Sequence, residues 1–577
     1  MKILLVYPCF IDNRINEEDI SAVPMGLYQV GAMLCAHGYA VDILNAYNLG
    51  SRPDRIRRIL DEQRPDVVGV SILHANRWGG IDIARMVKQR DPHATVVFGG
   101  AGATFLWLHL LTHFPEIDYV VRGEGEFTFL ELIRFLESGR RDAPVHIDGL
   151  GLRREGRPVK THERDPVADL DSLPMPADYF TFQHVSLTRG CPSGCTFCGS
   201  PALWHRRVRY HGADYFVDQL EKLQRRGVGF FFVSDDTFTL DRDRVIAVCQ
   251  QIIDRGLTLT WAAISRVDCV DAEVLAWMRR AGCTQISYGV ESGSREIRAL
   301  YHKKISDAAI CRAFDLTQRT GIMARAYFIY GAPGESDRTI DESLALIRRI
   351  RPLAAIFYVL DLFPGTALYA DYQRRSGATD DIWLERVEDI LYFETDPSLD
   401  REQVLAFGKR LREGYYALLP QFAREIELVD DPALYPLHAD FLSRLGLTFS
   451  HGEYAGHPLI REHLETAAHL FEQSLAFHPD HRAFWGLGLL HQEEGRFAAS
   501  IAVLEQGIRH HPASLDLHLA LAGSLMRLDR CPEARRRLED VASHPAAVDA
   551  IIRCCRMMGD HDGERAWVRR RQAMPSP

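Results

Sequence analysis

Three cysteines lie within eight residues of one another in the segment TRGCPSGCTFCGS, residues 188–200. Cys191, Cys195 and Cys198 follow the spacing C-x3-C-x2-C, without a fourth cysteine or a close histidine in register. Structural zinc sites use paired C-x2-C knuckles and four ligands, whereas three thiolates around a four-iron cluster leave one iron without a protein ligand. Such an open iron can bind a substrate or a cofactor. The alternative interpretation is a zinc site completed by His205 or by a distant cysteine.

The composition favours a metal or catalytic site over disulfides. The 577 residues include twelve cysteines, and the formal net charge is −10. No basic stripe predicts binding to nucleic acid or anionic lipid. The start MKILLVYPCF is apolar but brief and predicts a buried strand, and no stretch approaches the ~18 apolar residues that span a bilayer. We therefore expect a cytoplasmic protein whose thiols stay reduced.

Residues 1–140 alternate short apolar strands with amphipathic helical stretches. This alternation predicts an α/β domain with a doubly wound parallel sheet, in which ligands bind beyond the carboxyl ends of the strands. Those ends read SILHANRWGG, FGGAGATF and VVRGEGE, and their glycines allow a ligand to approach the backbone closely. The predicted strands are Ile3–Tyr7, Ala40–Leu44, Val67–Ile72, Thr95–Phe98 and Tyr119–Val121.

A linker over residues 141–180, with a hairpin at RREGRPVK, precedes a second α/β domain at 181–365. Six strand–helix units in series predict a partial (β/α)6 barrel whose active site lies at the carboxyl-terminal rim. The cysteine loop directly follows the first of these strands, so we expect it on that rim. The predicted strands are His184–Thr188, Phe230–Ser234, Leu257–Ala263, Gln285–Val290, Ala324–Tyr330 and Ala355–Asp361.

The remaining chain is predicted to be all-α, with a helical extension at 366–450 and repeats at 451–577. The dipeptide His-Pro occurs at 478–479, 511–512 and 544–545, with a period of 33 residues. The first unit carries Leu487, Gly488, Gly495 and Leu504 at packing and turn positions, so the region resembles tetratricopeptide repeats. Such repeats suggest a scaffold or a contact with a protein partner.

The cysteine loop and its position after the first barrel strand resemble the radical S-adenosylmethionine enzymes. The resemblance implies that Cys191, Cys195 and Cys198 hold a 4Fe-4S cluster whose free iron chelates the methionyl group of S-adenosylmethionine. One electron would then cleave the sulfonium and release a 5′-deoxyadenosyl radical. Phe197 would lie beside the adenine. An external electron donor of the flavodoxin or ferredoxin type is also implied.

Further strand ends match this family in order and spacing. The resemblance places Asp235 and Asp236 at the methionyl amine, and Ser265 and Arg266 at the third strand's end. Each could equally be an ordinary residue, because Asp236 could cap a helix and Arg266 could be a surface charge. The fourth and fifth strand ends contribute a ribose contact and backbone along the adenine, at Glu291, Gly331, Pro333 and Gly334.

The N-terminal domain resembles the cobalamin-binding domains fused to radical enzymes. The shared segments are PMGLYQVGAMLCAHGYAVDIL, PDVVGVSIL, VVFGG and YVVRGEGEFTF. The loop PCFIDNRINEEDISAVPMG contains no histidine to ligate cobalt, which leaves water, another residue such as His74, or no lower ligand. A domain that binds another nucleotide is the alternative. The residues implied to border the nucleotide tail or close the site are Ser71, Leu73, Gly99, Gly100, Arg122, Gly123 and Glu124.

The combined resemblance implies a class B-like methyltransferase that acts on an unactivated carbon of a small molecule. Cobalamin-dependent cyclisation or rearrangement is the enzymatic alternative, and a cobalamin or redox sensor that signals through the repeats is the non-enzymatic one. Methylthiolation is disfavoured because only Cys9 and Cys35 precede the cluster motif. The basic residues that follow the cysteine loop are interpreted as a solvated charge run: His205, Arg206, Arg207 and Arg209.

Overall fold

The computed structural model describes residues 1–11, 22–49, 52–140 and 142–574, and it forms two compact units. The first unit contains residues 1–314, 324–350 and 354–412, and the second contains residues 315–323, 351–353 and 413–577. No helix within the described ranges is long and apolar enough to cross a membrane. The finer boundaries at 140, 180, 365 and 450 stay predictions.

A seven-stranded sheet opens the first unit, with the order β2-β1-β3-β4-β5-β6-β7. Strands β1 to β5 pair in parallel, in the order 2-1-3-4-5 of a doubly wound fold, as the alternation of strands and helices predicts. The hairpin at RREGRPVK adds β6 and β7 antiparallel to β5. The strands are β1 (Lys2–Tyr7), β2 (Ala40–Asn45), β3 (Val67–Ser71), β4 (Thr95–Gly99), β5 (Tyr119–Val121), β6 (Leu150–Arg154) and β7 (Arg157–Lys160). The helices are α1 (Met25–Ala36), α2 (Pro53–Gln63), α3 (Arg77–Arg90), α4 (Gly100–Phe105), α5 (Trp107–His113) and α6 (Glu126–Glu137).

The central strands of this sheet are apolar along their length because helices cover both faces. Four of the five residues of β3 are buried, and β1 is buried from Ile3 to Tyr7. The strand order reverses between β1 and β3. The connections that leave their carboxyl ends therefore run to opposite sides of the sheet, and a crevice forms between them. The polar and glycine-rich segments found in the sequence therefore follow strands that end at this crevice.

A six-stranded sheet with the order β15-β14-β13-β12-β11-β8 follows in the same unit. Each strand lies beside the next one along the chain, as in the predicted partial barrel. The strands are β8 (His184–Val185), β11 (Phe230–Val233), β12 (Thr260–Ser265), β13 (Cys283–Glu291), β14 (Met323–Tyr330) and β15 (Ala354–Val359), and a separate ribbon joins β9 (Thr188–Arg189) to β10 (Arg209–Tyr210). The helices are α7 (Ser200–Leu203), α8 (Ala213–Arg225), α9 (Arg242–Asp254), α10 (Ala272–Arg280), α11 (Arg295–Leu300), α12 (Asp307–Arg319) and α13 (Asp337–Ile350).

The first barrel strand is shorter than predicted. The sequence predicts one strand from His184 to Thr188, but the chain leaves the sheet after Val185. The reason is the Asp235 carboxylate, whose Oδ1 accepts hydrogen bonds from the backbone of Leu187 and Thr188, both at 2.9 Å. These amides therefore bond to a side chain rather than to a neighbouring strand.

A segment after the barrel, residues 380–391, packs on helix α3 and is called the strap below. Arg77 is fully buried and donates hydrogen bonds to the strap carbonyls of Trp383, Glu385 and Glu388. Trp78 Nε1 also donates to the Glu385 carbonyl at 2.8 Å. The strap therefore ties the barrel end of this unit to its N-terminal sheet. The helices that flank it are α14 (Ala367–Ser376), α15 (Tyr392–Thr395) and α16 (Arg401–Tyr416).

The second unit consists largely of helix pairs that pack closely at glycine. A Cβ at Gly488 would lie 2.5 Å from the Leu504 side chain, so this Leu-Gly position requires glycine for helix packing. The His511 ring bonds to the Pro479 carbonyl at 2.9 Å, which links the His-Pro dipeptides of successive repeats. The helices are α17 (Leu419–Arg424), α18 (Tyr435–Ser450), α19 (His463–Phe477), α20 (His481–Glu493), α21 (Phe497–His510), α22 (Leu515–Arg527), α23 (Cys531–Glu539), α24 (Pro545–Met558) and α25 (His561–Gln572).

Candidate functional site

A cavity of about 600 Å³ lies between the carboxyl ends of the first sheet and the rim of the barrel. Its N-terminal wall is formed by backbone at the ends of β3, β4 and β5, together with the start of α1. Its barrel wall is formed by the ends of β8, β11 and β12 and by the start of the cysteine loop at Gly190. Both predicted binding regions therefore face one cavity within the first unit.

Most of the predicted cobalamin contacts line the N-terminal wall. They are Ser71, Leu73, Gly99, Gly100, Gly123 and Glu124, and their role as ligand contacts stays a prediction. Gly100 has a φ of +89°, and a Cβ there would lie 2.7 Å from the Ile72 carbonyl oxygen, so only glycine fits this bend without strain. Arg122 is placed differently from the prediction that it closes the site, because its guanidinium pairs with Glu163 and packs on Trp107 outside the cavity lining.

His74 does not reach the cavity either. Its ring packs against Phe363, with centroids 4.3 Å apart, and against the edge of Trp383. Burial and the nearby charge of Arg77 together lower the pKa of this imidazole to about 3. The structure therefore does not favour His74 as a cobalt ligand. Residues 12–21 of the loop without histidine lie outside the described residues.

The cysteine loop is folded tightly against the barrel rim. Gly190 has a φ of +108°, and a Cβ there would lie 2.0 Å from the Arg207 carbonyl oxygen. In the middle of the loop, the Thr196 amide donates to the Tyr301 carbonyl at 3.0 Å and its hydroxyl donates to the Leu300 carbonyl at 3.1 Å. The loop is therefore held at its start and in its middle.

The three cysteines of the loop are unpaired and partly buried. Burial, together with the negative charges of Asp236, Cys195 and Cys191, raises the pKa of the Cys198 thiol to about 12. Burial also raises the pKa of Cys195, whereas the nearby Lys303 and Arg266 oppose this increase. Three thiols this close repel one another as thiolates, and a bound cation centre would relieve that repulsion.

The two aspartates at the end of β11 differ in their burial. Asp235 is 2% exposed, and its Oδ1 also accepts a hydrogen bond from the Ser186 hydroxyl at 2.7 Å. Its Oδ2 has no hydrogen-bond partner within the described chain, and burial raises its pKa to about 7. Asp236 lines the cavity and accepts from the Ser200 hydroxyl at 2.6 Å. Asp235 therefore shapes the start of the loop, and Asp236 faces the cavity.

Arg266 is attached directly to the cysteine loop. Its guanidinium forms a bidentate pair with Asp268, at 2.9 and 2.8 Å, and Nη1 donates to Ser193 Oγ at 2.8 Å. The alternative that Arg266 is an ordinary surface charge is wrong, since its side chain is only 13% exposed. Ser265 is buried, and its hydroxyl bonds to that of Thr239.

Glu291, at the end of β13, forms a buried ion pair that the sequence alone did not indicate. Lys303 Nζ donates to Glu291 Oε1 at 2.9 Å, and the two side chains are 8% and 7% exposed. Burial opposes the charge of Lys303, but Glu291 and the Cys195 thiol outweigh it and raise the pKa of the ammonium. A Cβ at Gly289 would lie 2.3 Å from Glu291 Oε1, so this strand glycine makes room for the pair. A glycine inside a predicted strand was the one feature of the sequence that could have indicated a close contact at this position.

The remaining predicted contacts lie on the same rim. Phe197 packs edge-on against Tyr301, with ring centroids 5.1 Å apart. Gly331 and Gly334 have φ values of +83° and +74°, and Gly331 donates its amide to the Glu335 carboxylate. Burial raises the pKa of Glu335 to about 7. Their contacts with a cofactor stay predictions.

A buried charge network joins the two walls. Glu124 accepts from Arg189 Nη1 at 2.6 Å and from Arg209 Nη1 at 2.7 Å, and Glu126 accepts from Arg189 Nη2 at 2.7 Å. Both arginines together lower the pKa of Glu124 against the effect of its burial. The interpretation of Arg209 as a solvated charge is therefore wrong, because its side chain is 13% exposed and paired. His205, Arg206 and Arg207 are exposed as predicted.

These residues fit the groups that the sequence implies. Three thiols without disulfide partners, next to the cations of Lys303 and Arg266, match a cluster with one open iron. The glycine-lined cavity accepts a large ligand against the backbone at the β1–β3 switch point. The described structure also contains no cysteine-rich second knuckle next to this loop that would complete a zinc site.

Family models match three parts of the chain. Residues 185–347 match the radical SAM superfamily, residues 21–133 match the B12 binding domain, and residues 491–549 match the tetratricopeptide repeat. The first two ranges contain the two walls of the cavity. The radical SAM range includes all three cysteines of the loop and the strand ends up to Gly331.

Individual relatives match this chain over most of their own length. The chain is 29% identical over 381 residues to an uncharacterized methyltransferase of Pyrococcus horikoshii, covering 64% of this chain and 82% of that one. It is 27% identical over 389 residues to the anaerobic magnesium-protoporphyrin IX monomethyl ester cyclase of Rubrivivax gelatinosus, covering 64% and 70%. The fold is similar to that of the radical S-adenosylmethionine methyltransferase TsrM from Kitasatospora setae, with a TM-score of 0.55 and 19% identity over 65% and 78% of the two chains.

Proposed function

Since the chain belongs to the radical SAM enzymes that carry a cobalamin-binding domain, we propose that it methylates an unactivated carbon of a small molecule. The observation that carries this proposal is the shared cavity, which has Asp236 and the start of the cysteine loop at Gly190 on one wall and the glycine-containing strand ends on the other. When bound, the cluster and S-adenosylmethionine supply a carbon-centred radical, and cobalamin supplies a methyl group. The protein's own task is to bind, orient and shield these groups.

The barrel wall would bind and orient the cluster and S-adenosylmethionine. Cys191, Cys195 and Cys198 hold the cluster, and Asp236 faces the cavity where a cofactor ammonium would be stabilised. Lys303 and Arg266 offset the negative charge of the thiolates. Because Arg266 also bonds to Ser193, it fixes the loop that surrounds the cluster.

The N-terminal wall would present cobalamin and shield the reaction from water and oxygen. Its lining consists mostly of apolar residues and of the glycines at the strand ends, so it would hold cobalamin by shape. The loop over residues 8–26 contains no histidine and would therefore offer no imidazole to the cobalt. A cavity enclosed in this way keeps water and oxygen away from a reactive radical.

The electron for reductive cleavage comes from an external donor, for which a small flavodoxin-like or ferredoxin-like protein is suited. We place the enzyme in the cytoplasm, because thiolate ligands require a reducing compartment. The tetratricopeptide repeats provide the surface for a protein partner. A carrier or scaffold protein that presents the substrate would fit this role.

Cyclisation is the second candidate, because the Rubrivivax gelatinosus relative is a cyclase and matches 64% of this chain. The product distinguishes the two reactions. Methyl transfer adds one methylene to the mass of the substrate, whereas oxidative cyclisation removes hydrogens. The similarity to enzymes also favours catalysis over the sensor hypothesis.

The test is anaerobic cleavage of S-adenosylmethionine by the reconstituted, reduced full-length chain. We expect 5′-deoxyadenosine from the wild type, and a decrease of at least about 1000-fold in Cys195→Ser, since the variant lacks a group on which the chemistry depends. Cys35→Ser, outside the site, should retain wild-type activity. Product with methyl from labelled S-adenosylmethionine then supports methyl transfer, and wild-type protein that forms a cluster but never cleaves the sulfonium contradicts the proposal.

A further inference from the structure

A second group of metal-ligating side chains lies away from the cysteine loop. His109 and His113 are four residues apart on helix α5, so they share one face of that helix. Their ring centroids are 5.0 Å apart. The strap contributes Asp381, whose Oδ1 lies 3.1 Å from His113 Nε2. One ligand atom from each of the three residues lies within 4.8 Å of the other two.

His109 is the residue that requires an explanation. Its side chain is 3% exposed, and neither ring nitrogen has a hydrogen-bond partner among the described residues. A buried polar atom without a partner costs about 1–3 kcal/mol, so imidazole rings in protein interiors are normally bonded on at least one side. The aromatic contacts of His109 with Phe114 and His113 do not satisfy its nitrogens.

A metal ion would satisfy one of the two unpartnered nitrogens of His109. Two imidazoles and one carboxylate form a donor set that suits zinc and other divalent first-row metals. Three protein ligands leave a fourth position for water. The ligand atoms are somewhat further apart than in a metal-bound site, and a rotation of the exposed His113 and Asp381 side chains would close that gap.

We propose that His109, His113 and Asp381 bind one zinc ion, which links helix α5 to the strap. The strap already contacts the N-terminal sheet through Arg77 and Trp78. Arg386 of the strap also forms a bidentate pair with Asp82 of α3. The zinc ion is a third attachment, on a different helix, between the N-terminal sheet and the segment that follows the barrel.

The test is a zinc titration of full-length, cluster-loaded holoenzyme against a chromophoric chelator, so that the cluster cysteines are already occupied. We expect one zinc per chain in the wild type and an affinity at least about tenfold weaker in His113→Ala and in Asp381→Asn, since loss of a ligand is at least as costly as loss of a supporting residue. Both side chains are exposed, so both variants should fold. His93→Ala, an exposed histidine of the same domain, is the matched control and should bind zinc as the wild type does.

A second readout is the thermal unfolding midpoint of the same proteins. Zinc should raise the midpoint of the wild type and of His93→Ala, but not that of His113→Ala or Asp381→Asn. A wild type that binds no zinc beyond its cluster site would overturn the proposal. Equal zinc affinity in the wild type and in both ligand variants would overturn it too, because the ion would then be bound elsewhere.

Discussion

The N-terminal wall of the cavity is lined mainly by glycine and apolar residues, whereas the barrel beside it carries buried charged side chains with defined partners. Gly99, Gly100 and Gly123 leave the strand ends of the first sheet bare. On the barrel side, Asp235 and the Glu291–Lys303 pair are buried beneath or beside the cysteine loop. The difference indicates that one wall recognises a large rigid ligand by shape and that the other fixes small charged groups by electrostatics.

The two walls are not independent, because the Glu124 network connects them. Glu124 belongs to the end of the first sheet, and Arg189 directly precedes the cysteine loop. A carboxylate shared between two arginines has a fixed position, since movement would break two short ion pairs. We call the N-terminal wall the shape wall, the barrel wall the charge wall, and the Glu124 network the link. The comparison can be tested by substituting residues in each of the three separately.

The largest effect on cofactor binding is expected at the shape wall. Gly100→Ala forces a side chain into left-handed backbone, at about 1–2 kcal/mol, and also places its Cβ against the Ile72 carbonyl. We expect cobalamin affinity to fall by about tenfold or more, with cluster content unchanged, as measured by equilibrium binding and iron analysis. Gly139→Ala is the control, because Gly139 has a φ of +68° but no atom near its Cβ position. Equal cobalamin binding by Gly100→Ala and the wild type would contradict recognition by shape.

The link should affect stability and turnover. Glu124→Gln keeps the shape of the side chain but leaves Arg189 and Arg209 with one carboxylate fewer, at about 3–5 kcal/mol of stability. We expect a lower unfolding midpoint and slower product formation, with cluster content retained. Glu163→Gln is the control, since Glu163 is 63% exposed and pairs with Arg122 outside the cavity. If both variants lose the same stability, the network does not couple the walls.

A smaller, pH-dependent effect is expected at the charge wall. The pKa of Asp235 rises from its ordinary 3.8 to about 7 on folding, so the folded chain binds this proton more tightly than the unfolded chain does. The free energy of unfolding should therefore decrease as the pH rises from about 4 to about 7. Asp235→Asn keeps an oxygen for the loop amides and removes the titration.

The measurement is urea unfolding of the wild type and Asp235→Asn at pH 5 and pH 8. The wild type should lose more stability than the variant between these two values. Asp243→Asn, an exposed aspartate on α9, serves as the control and should follow the wild type. Identical pH dependence in Asp235→Asn and the wild type would show that the buried carboxyl does not titrate in this range.

The smallest effect is expected from His74→Phe. Its ring packs between Phe363 and Trp383 and does not line the cavity. We expect cobalamin affinity within about twofold of the wild type and an unchanged absorbance spectrum of the bound cofactor. A shifted spectrum would identify His74 as a cobalt ligand and would give the N-terminal wall a chemical as well as a shape role. His93→Phe controls for the loss of a histidine.

The alternation of strands and helices was readable from the sequence because buried parallel strands are continuous apolar runs. The cysteine spacing also indicated the chemistry of the site, since C-x3-C-x2-C is compatible with few metal centres. Arg209 and Lys303 were not readable in this way. An arginine in a basic run and a lysine after a helix have the composition of surface residues, and only the positions of Glu124 and Glu291 show that both are paired.

The sequence by itself determined the order of the two α/β domains, the cysteine loop on the rim and the glycines at the strand ends. These features depend on local periodicity and on residue types that few other roles require. The tertiary structure decided which charges are buried together, because ion pairs such as Glu124–Arg189 join residues 65 positions apart. It also decided that Asp235 supports the loop while Asp236 faces the cavity, since neighbouring residues at a strand end point in opposite directions.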